Sequence, residues 1–305
     1  MPLHPRLETM IAERRQAAAG AVAPARSAQA ARAGIAARRQ SWGAGPEVGE
    51  ISELTLPSRG GPMTVRRYRP EGGARGRLLW LHGGGWVAGS LADYDPFVRA
   101  ICQASRCEVL VPDYRLAPEH PFPAALEDGE DVLAWLTGLG DGLPLLIGGD
   151  SAGGNLAAVL AQQARGRVVL LGQLLLSPVT DCDTETESYR ESGSGYLLDT
   201  AEMQWLWQQY VPNGTLESPR ISPLRARSLA GVAPAWVVGA QYDVLRDDAR
   251  RYARKLGWHG VRHRYSEYAG MTHNFGPMMN VLEPARQLLQ EMDEVVGRMI
   301  AGTPL

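Results

Sequence analysis

A chain of 305 residues with 45% hydrophobic and 21% charged residues is too apolar to be a disordered polymer, and it is long enough for a large core. The formal net charge of −2 gives no sign of the basic face that nucleic-acid binding needs, so no nucleic-acid partner is expected. Cys102, Cys107 and Cys182 form no C-x-x-C pair and suit a reducing compartment as isolated thiols.

The start, MPLHPRLETM, lacks the charged-then-apolar pattern of a signal peptide, and the later apolar run from Val168 to Val179 is broken by Gly172 and Gln173. A cytoplasmic chain without a membrane span is the expectation. Leu7, Met10 and Ile11 recur at helical spacing, which makes the Ala/Arg-rich start an amphipathic helix on the body. Alternation over Ile51–Leu56 and Met63–Arg69 predicts two antiparallel strands. Short apolar runs then alternate with longer helical patterns. Strands are predicted at Leu78–Leu81, Cys107–Val111, Pro144–Ile147, Val168–Leu176, Ala235–Gly239 and Val261–Tyr265. Helices are predicted at Pro96–Ser105, Pro123–Leu136, Ala152–Ala164, Asp247–Leu256 and Pro284–Ile300. Nearly continuous apolar strands separated by helices imply an α/β fold, with a mostly parallel sheet covered on both faces. The stretch Asp181–Ser228, rich in polar and aromatic residues, is longer than a crossover helix requires and reads as an insertion over one end of the sheet.

The strongest local signal is Gly149-Asp150-Ser151-Ala152-Gly153, between an apolar strand and a helical segment. In that context G-x-S-x-G forms a sharp turn that lifts the serine hydroxyl clear of the sheet at a helix N-terminus. A serine hydroxyl needs a base, and the base an orienting carboxylate. Asp243 follows the strand Ala235–Gly239, and His273 follows Val261–Tyr265, so both fall at the carboxyl ends of strands, as Ser151 does. His259 and His263 have the i, i+4 spacing of a zinc pair, but Gly260 lies between them and no H-E-x-x-H glutamate is present, so no metal is expected.

His82-Gly83-Gly84-Gly85-Trp86 follows the first central strand. Glycines there let backbone N–H groups approach a developing oxyanion, and the expected donors are Gly83, Gly84 and Ala152. The same loop matches G-x-G-x-x-A through Gly83, Gly85 and Ala88, with Asp113 placed like a ribose carboxylate. Bulky Trp86 and the delayed helix argue against a dinucleotide.

These motifs, with Asp113-Tyr114-Arg115-Leu116-Ala117-Pro118-Glu119-His120-Pro121-Phe122-Pro123-Ala124-Ala125 and Gly149-Asp150-Ser151-Ala152-Gly153-Gly154-Asn155, resemble the hormone-sensitive-lipase-like branch of the α/β-hydrolase carboxylesterases. The resemblance runs from about Arg77 to Phe275. It implies an α/β-hydrolase core at 46–180 and 229–305, a helical cap segment at 1–45 and a cap insertion at 181–228. It also implies Ser151 as nucleophile, Asp243 and His273 as its partners, Gly83, Gly84 and Ala152 around the oxyanion, and no cofactor. The family's Asp-Pro-Leu-Arg-Asp pattern carries Val244 here in place of proline. The expected activity is hydrolysis of short- to medium-chain carboxylic esters, with an amidase or arylformamidase, or a non-catalytic receptor for a small ligand, as alternatives. Trp86, Trp205, Trp207 and Tyr210 are expected to narrow the acyl pocket, and a homodimer is an expected assembly.

Overall fold

The protein is described by a computed structural model covering residues 1–18 and 26–305; residues 19–25 of the expected cap segment lie outside the described residues. The chain begins with α1 (Pro5–Ala18) and α2 (Ala28–Trp42), followed by the hairpin β1 (Glu50–Ser58) and β2 (Gly61–Arg69). The hairpin leads into alternating strands and helices: β3 (Arg77–Leu81), α3 (Leu91–Ser105), β4 (Glu108–Pro112), α4 (Ala124–Gly138), β5 (Leu145–Asp150), α5 (Ala152–Ala164) and β6 (Gly172–Leu176). After the insertion with α6 (Glu187–Ser192) and α7 (Thr200–Tyr210) come β7 (Ala235–Tyr242), α8 (Arg246–Trp258), β8 (His263–Thr272) and α9 (Glu283–Ala301).

The eight strands form one sheet in the order β1-β2-β4-β3-β5-β6-β7-β8. β2 is antiparallel to both its neighbours, and every pair from β4 through β3 to β8 is parallel. Successive residues of the central strands point to opposite faces. Leu79, Leu81, Ile147, Leu175 and Val237 pack beneath α4, α5 and α8. Leu78, Trp80, Leu146, Leu174 and Trp236 pack beneath α3 and α9. Both faces are therefore dry, which is why these strands read as unbroken apolar runs. The expected mostly parallel, doubly covered sheet is the observed one.

Several element bounds differ from expectation: β7 runs on to Tyr242 and β8 spans His263–Thr272 rather than ending at Tyr265, and α3 and β6 start elsewhere. α3 starts at Leu91, five residues before Pro96, because the Ser90 hydroxyl accepts the Asp93 N–H at 3.1 Å and caps the helix there. Pro96 is tolerated inside the helix rather than opening it. β6 starts at Gly172, not Val168; the segment before it leaves α5 through a turn in which the Val168 N–H donates to the Ala164 carbonyl at 2.9 Å, and Val169 is 79% exposed. No described helix is long and apolar enough to cross a membrane.

Candidate active site

The strand-to-helix turn between β5 and α5 holds Ser151 at φ 54° and ψ −118°, a left-handed conformation costly for a residue with a Cβ. Two contacts enforce it. The Ser151 N–H donates to the Leu176 carbonyl at 2.8 Å, and a Cβ on Gly153 would lie 1.9 Å from the Leu81 carbonyl oxygen. Glycine is thus required at 153 by the close passage of β3.

Asp243 follows directly on β7. Its Oδ1 accepts the Leu245 N–H at 2.9 Å, fixing the carboxylate, and its Oδ2 lies 2.8 Å from His273 Nδ1. His273 follows directly on β8, and its Nε2 lies 3.0 Å from Ser151 Oγ. Three side chains from three strand ends thus form one hydrogen-bonded row. Asp243 is buried, so its charge acts through little water. Burial pushes the His273 pKa down, but the charge and hydrogen bond of Asp243 outweigh it, with Asp150 and Glu202 adding, and the net shift is upward. The arrangement can draw a proton from Ser151 and hold it on an imidazolium facing a carboxylate.

The glycine loop requires a correction. Gly83 was expected among the oxyanion donors, but its N–H is committed to Asp150 Oδ1 at 3.1 Å. Gly84 and Gly85, both at positive φ, line the cavity that reaches Ser151 and His273, and among the described residues their N–H groups have no acceptor. The amides free to face an oxyanion on this loop are therefore those of Gly84 and Gly85, opposite Ala152 at the start of α5. His82, the other histidine near the site, lies buried between Tyr94 and Tyr114, with ring centroids 5.1 and 4.4 Å away. Burial pushes its pKa down to about 4.

A cavity of about 400 Å³ opens onto Ser151. Its cap-side wall is part aliphatic, with Met10 from α1, Ile35 from α2, and Leu198, Met203 and Leu206 from the insertion, and part charged, with Arg14, Arg38 and Glu202 from the same helices. α7 presses directly on the loop, since a Cβ on Gly85 would sit 2.4 Å from a Leu206 methyl carbon. From α2, Arg32 reaches the other end of the loop, its Nε donating to the Val87 carbonyl at 3.0 Å.

The four aromatics expected in the acyl pocket do not line this cavity. Trp86 stacks flat on Tyr210, with centroids 4.3 Å apart and rings 1° from parallel, and Trp207 leans on Trp86 at 4.7 Å. All three are buried, and Trp205 is half-buried against the same core. They fasten the insertion to the glycine loop. Ring size drew attention to them, whereas the helical stripe Met203, Leu206, Trp207 and Tyr210 is what α7 buries, with Trp205 off it. That spacing was the available signal for Met203 and Leu206.

A family model described as the α/β-hydrolase fold matches residues 78–276. A carboxylic ester hydrolase of Mycobacterium tuberculosis is 39% identical over 247 residues, covering 76% of this chain and 66% of that protein. An ethyl acetate hydrolase of Pseudomonas putida is 39% identical over 250 residues, covering 77% of this chain and 78% of that one. Among solved structures, the hyperthermophilic esterase of the archaeon Pyrobaculum calidifontis superposes with a TM-score of 0.88 at 32% identity, covering 99% of each chain. An α/β hydrolase from the metagenome of Lake Arreo gives a TM-score of 0.92 at 34% identity, covering 98% of this chain and 99% of its own. With that fold, that sequence relationship and the serine, histidine and aspartate at the strand ends, the chain belongs to the hormone-sensitive-lipase-like branch of the α/β-hydrolase family, among the carboxylic ester hydrolases.

Proposed function

We propose that the protein hydrolyses small carboxylic esters through an acyl-enzyme on Ser151. The observation that carries this reading is the row Ser151 Oγ, His273 Nε2, His273 Nδ1, Asp243 Oδ2, with its two links of 3.0 and 2.8 Å. Ser151 Oγ forms a bond to the ester carbonyl carbon as its proton passes to His273 Nε2, and the carbonyl π electrons move onto oxygen. The oxyanion faces the amides of Gly84, Gly85 and Ala152. When the carbonyl re-forms, the bond to the alkoxy oxygen breaks and His273 returns the proton to the departing alcohol. Water then enters, gives its proton to His273, and repeats the sequence on the acyl-enzyme to release the acid. Asp243 keeps the imidazole in the tautomer that presents an unprotonated Nε2 to Ser151.

The aliphatic part of the cavity wall, from Met203 and Leu206 to Ile35, and a relative named for ethyl acetate hydrolysis support short to medium acyl groups. Steady-state hydrolysis of p-nitrophenyl esters from acetate to palmitate tests the reading. Turnover should peak at short to medium chains and vanish in Ser151→Ala; a fully active Ser151→Ala variant contradicts the nucleophile. Matched amides should react far more slowly than the esters. Pairing of two copies as a homodimer and a cytoplasmic location are further proposals, tested by light scattering and by cell fractionation.

A further inference from the structure

The residue just before the proposed nucleophile carries a carboxylate that the reaction itself does not use. Asp150 is the last residue of β5, and its side chain is buried beside the glycine loop. Oδ1 accepts the Gly83 N–H at 3.1 Å, and Oδ2 accepts the Tyr94 hydroxyl at 3.3 Å. The fit is close: a Cβ on Gly83 would lie 2.3 Å from Oδ2 and 2.9 Å from the Tyr94 hydroxyl. A buried carboxylate is costly to keep, and apolar neighbours would have packed the same space more cheaply. Burial pushes this one up to about 7, with His273 and the two hydrogen bonds pulling the other way.

The geometry explains what the group could do there. Gly83 is followed by two glycines that line the cavity reaching Ser151 and whose N–H groups have no acceptor among the described residues, and the loop at Gly84 and Gly85 adopts positive φ, with no side chain of its own to hold it. The Gly83 anchor joins that loop to the strand that ends at the nucleophile. We propose that Asp150 is a positioning residue of the ester-hydrolysing site, setting where the Gly84 and Gly85 amides stand relative to Ser151 by tying Gly83 to β5. This rests on the esterase reading of the site. The Asp150 carboxylate touches neither substrate nor Ser151 Oγ in this role. It acts through the oxyanion donors, so its loss weakens the transition state more than ground-state binding. Displacing such donors slightly is enough, since misplacement by about 1 Å can cost on the order of a hundredfold in rate.

The test compares Asp150→Ala and Asp150→Asn with the parent on p-nitrophenyl butyrate, each normalised to sites counted by an organophosphonate. The affinity of an alkyl boronic acid, whose serine adduct presents a tetrahedral oxygen to the same amides, is measured alongside. In Asp150→Ala, kcat per counted site should fall about a hundredfold with KM within about threefold, and boronate affinity should fall by a similar factor. Asp150→Asn keeps an oxygen for the Gly83 N–H but loses the charge, so it should recover about tenfold of that loss and stay several-fold below the parent. A residue that merely supports the fold would lower the number of counted sites and leave kcat per site and boronate affinity in place; that result overturns the proposal. If Asp150→Ala does not fold, Asp150→Asn alone decides. Its kcat per site and boronate affinity should be several-fold below the parent, and values within twofold of it overturn the proposal. The esterase reading fails separately, if the parent shows no turnover or Ser151→Ala keeps it.

Discussion

Ser151 and His273 illustrate how much of a reactive site is set by backbone and field rather than by residue type alone. The serine sits in a left-handed turn that its own side chain disfavours, and neighbouring β3 leaves room there only for glycine at 153. His273 is held above the ordinary imidazole value of 6.5, the pull of Asp243 outweighing burial. A general base works only when neutral, so kcat/KM should fall as pH drops through a value above 6.5, with Asp150 and Glu202 contributing to the limb as the other acids acting on that ring. Asp243→Asn removes the charge that raises His273 and the group that fixes its tautomer. A pH–rate profile should show the acid limb moved downward and kcat reduced roughly 10³- to 10⁴-fold; an unmoved limb contradicts the electrostatic account. At this scale the sequence made the serine, aspartate and histidine legible, because motif context and strand order suffice to bring them to one sheet edge. It could not rank three consecutive glycines. Gly83, Gly84 and Gly85 look alike in a row, and only the carboxylate of Asp150 distinguishes the first by engaging its amide.

α7 and the glycine loop are packed directly on each other beside the cavity that opens onto Ser151. Trp86, Trp207 and Tyr210 clamp the two together, each aromatic contact contributing about 0.5–1.5 kcal/mol beyond its burial. Leu206, on the same helix face as the clamp, meets the cavity beside Met203 and Glu202. Leu206→Ala should open that wall and shift the optimum of the p-nitrophenyl ester series toward longer acyl chains by roughly two to four carbons, since each methylene buried contributes about 0.8 kcal/mol. An unchanged optimum would place the acyl group elsewhere in the cavity. Helix boundaries were less legible than helix existence for local reasons. Pro96 looks like a helix start, whereas Ser90 supplies the cap six residues before the proline is reached.

Across the whole molecule, the order of the sheet explains why one end of it carries chemistry. β5, β7 and β8 are parallel strands of a single sheet, so their carboxyl ends lie on one edge and deliver residues 151, 243 and 273 to one place. α1 and α2 from the start of the chain and the insertion between β6 and β7 meet over that edge, which joins Met10 and Ile35 to Leu206 around one cavity. The parallel core was readable because strands dry on both faces leave no polar alternation. The cap was not, because its residues are apportioned between cavity wall and packing by contacts distant in sequence. In the proposed reaction a single hydroxyl, activated by His273, forms the acyl bond. Incubation with an organophosphonate ester, followed by intact-mass and peptide mass spectrometry, measures that directly. One adduct, on the peptide containing Ser151, appearing in step with loss of ester hydrolysis and absent from Ser151→Ala, is the predicted result. An adduct on another residue that tracks the loss of activity, or an equal adduct on Ser151→Ala, would contradict it.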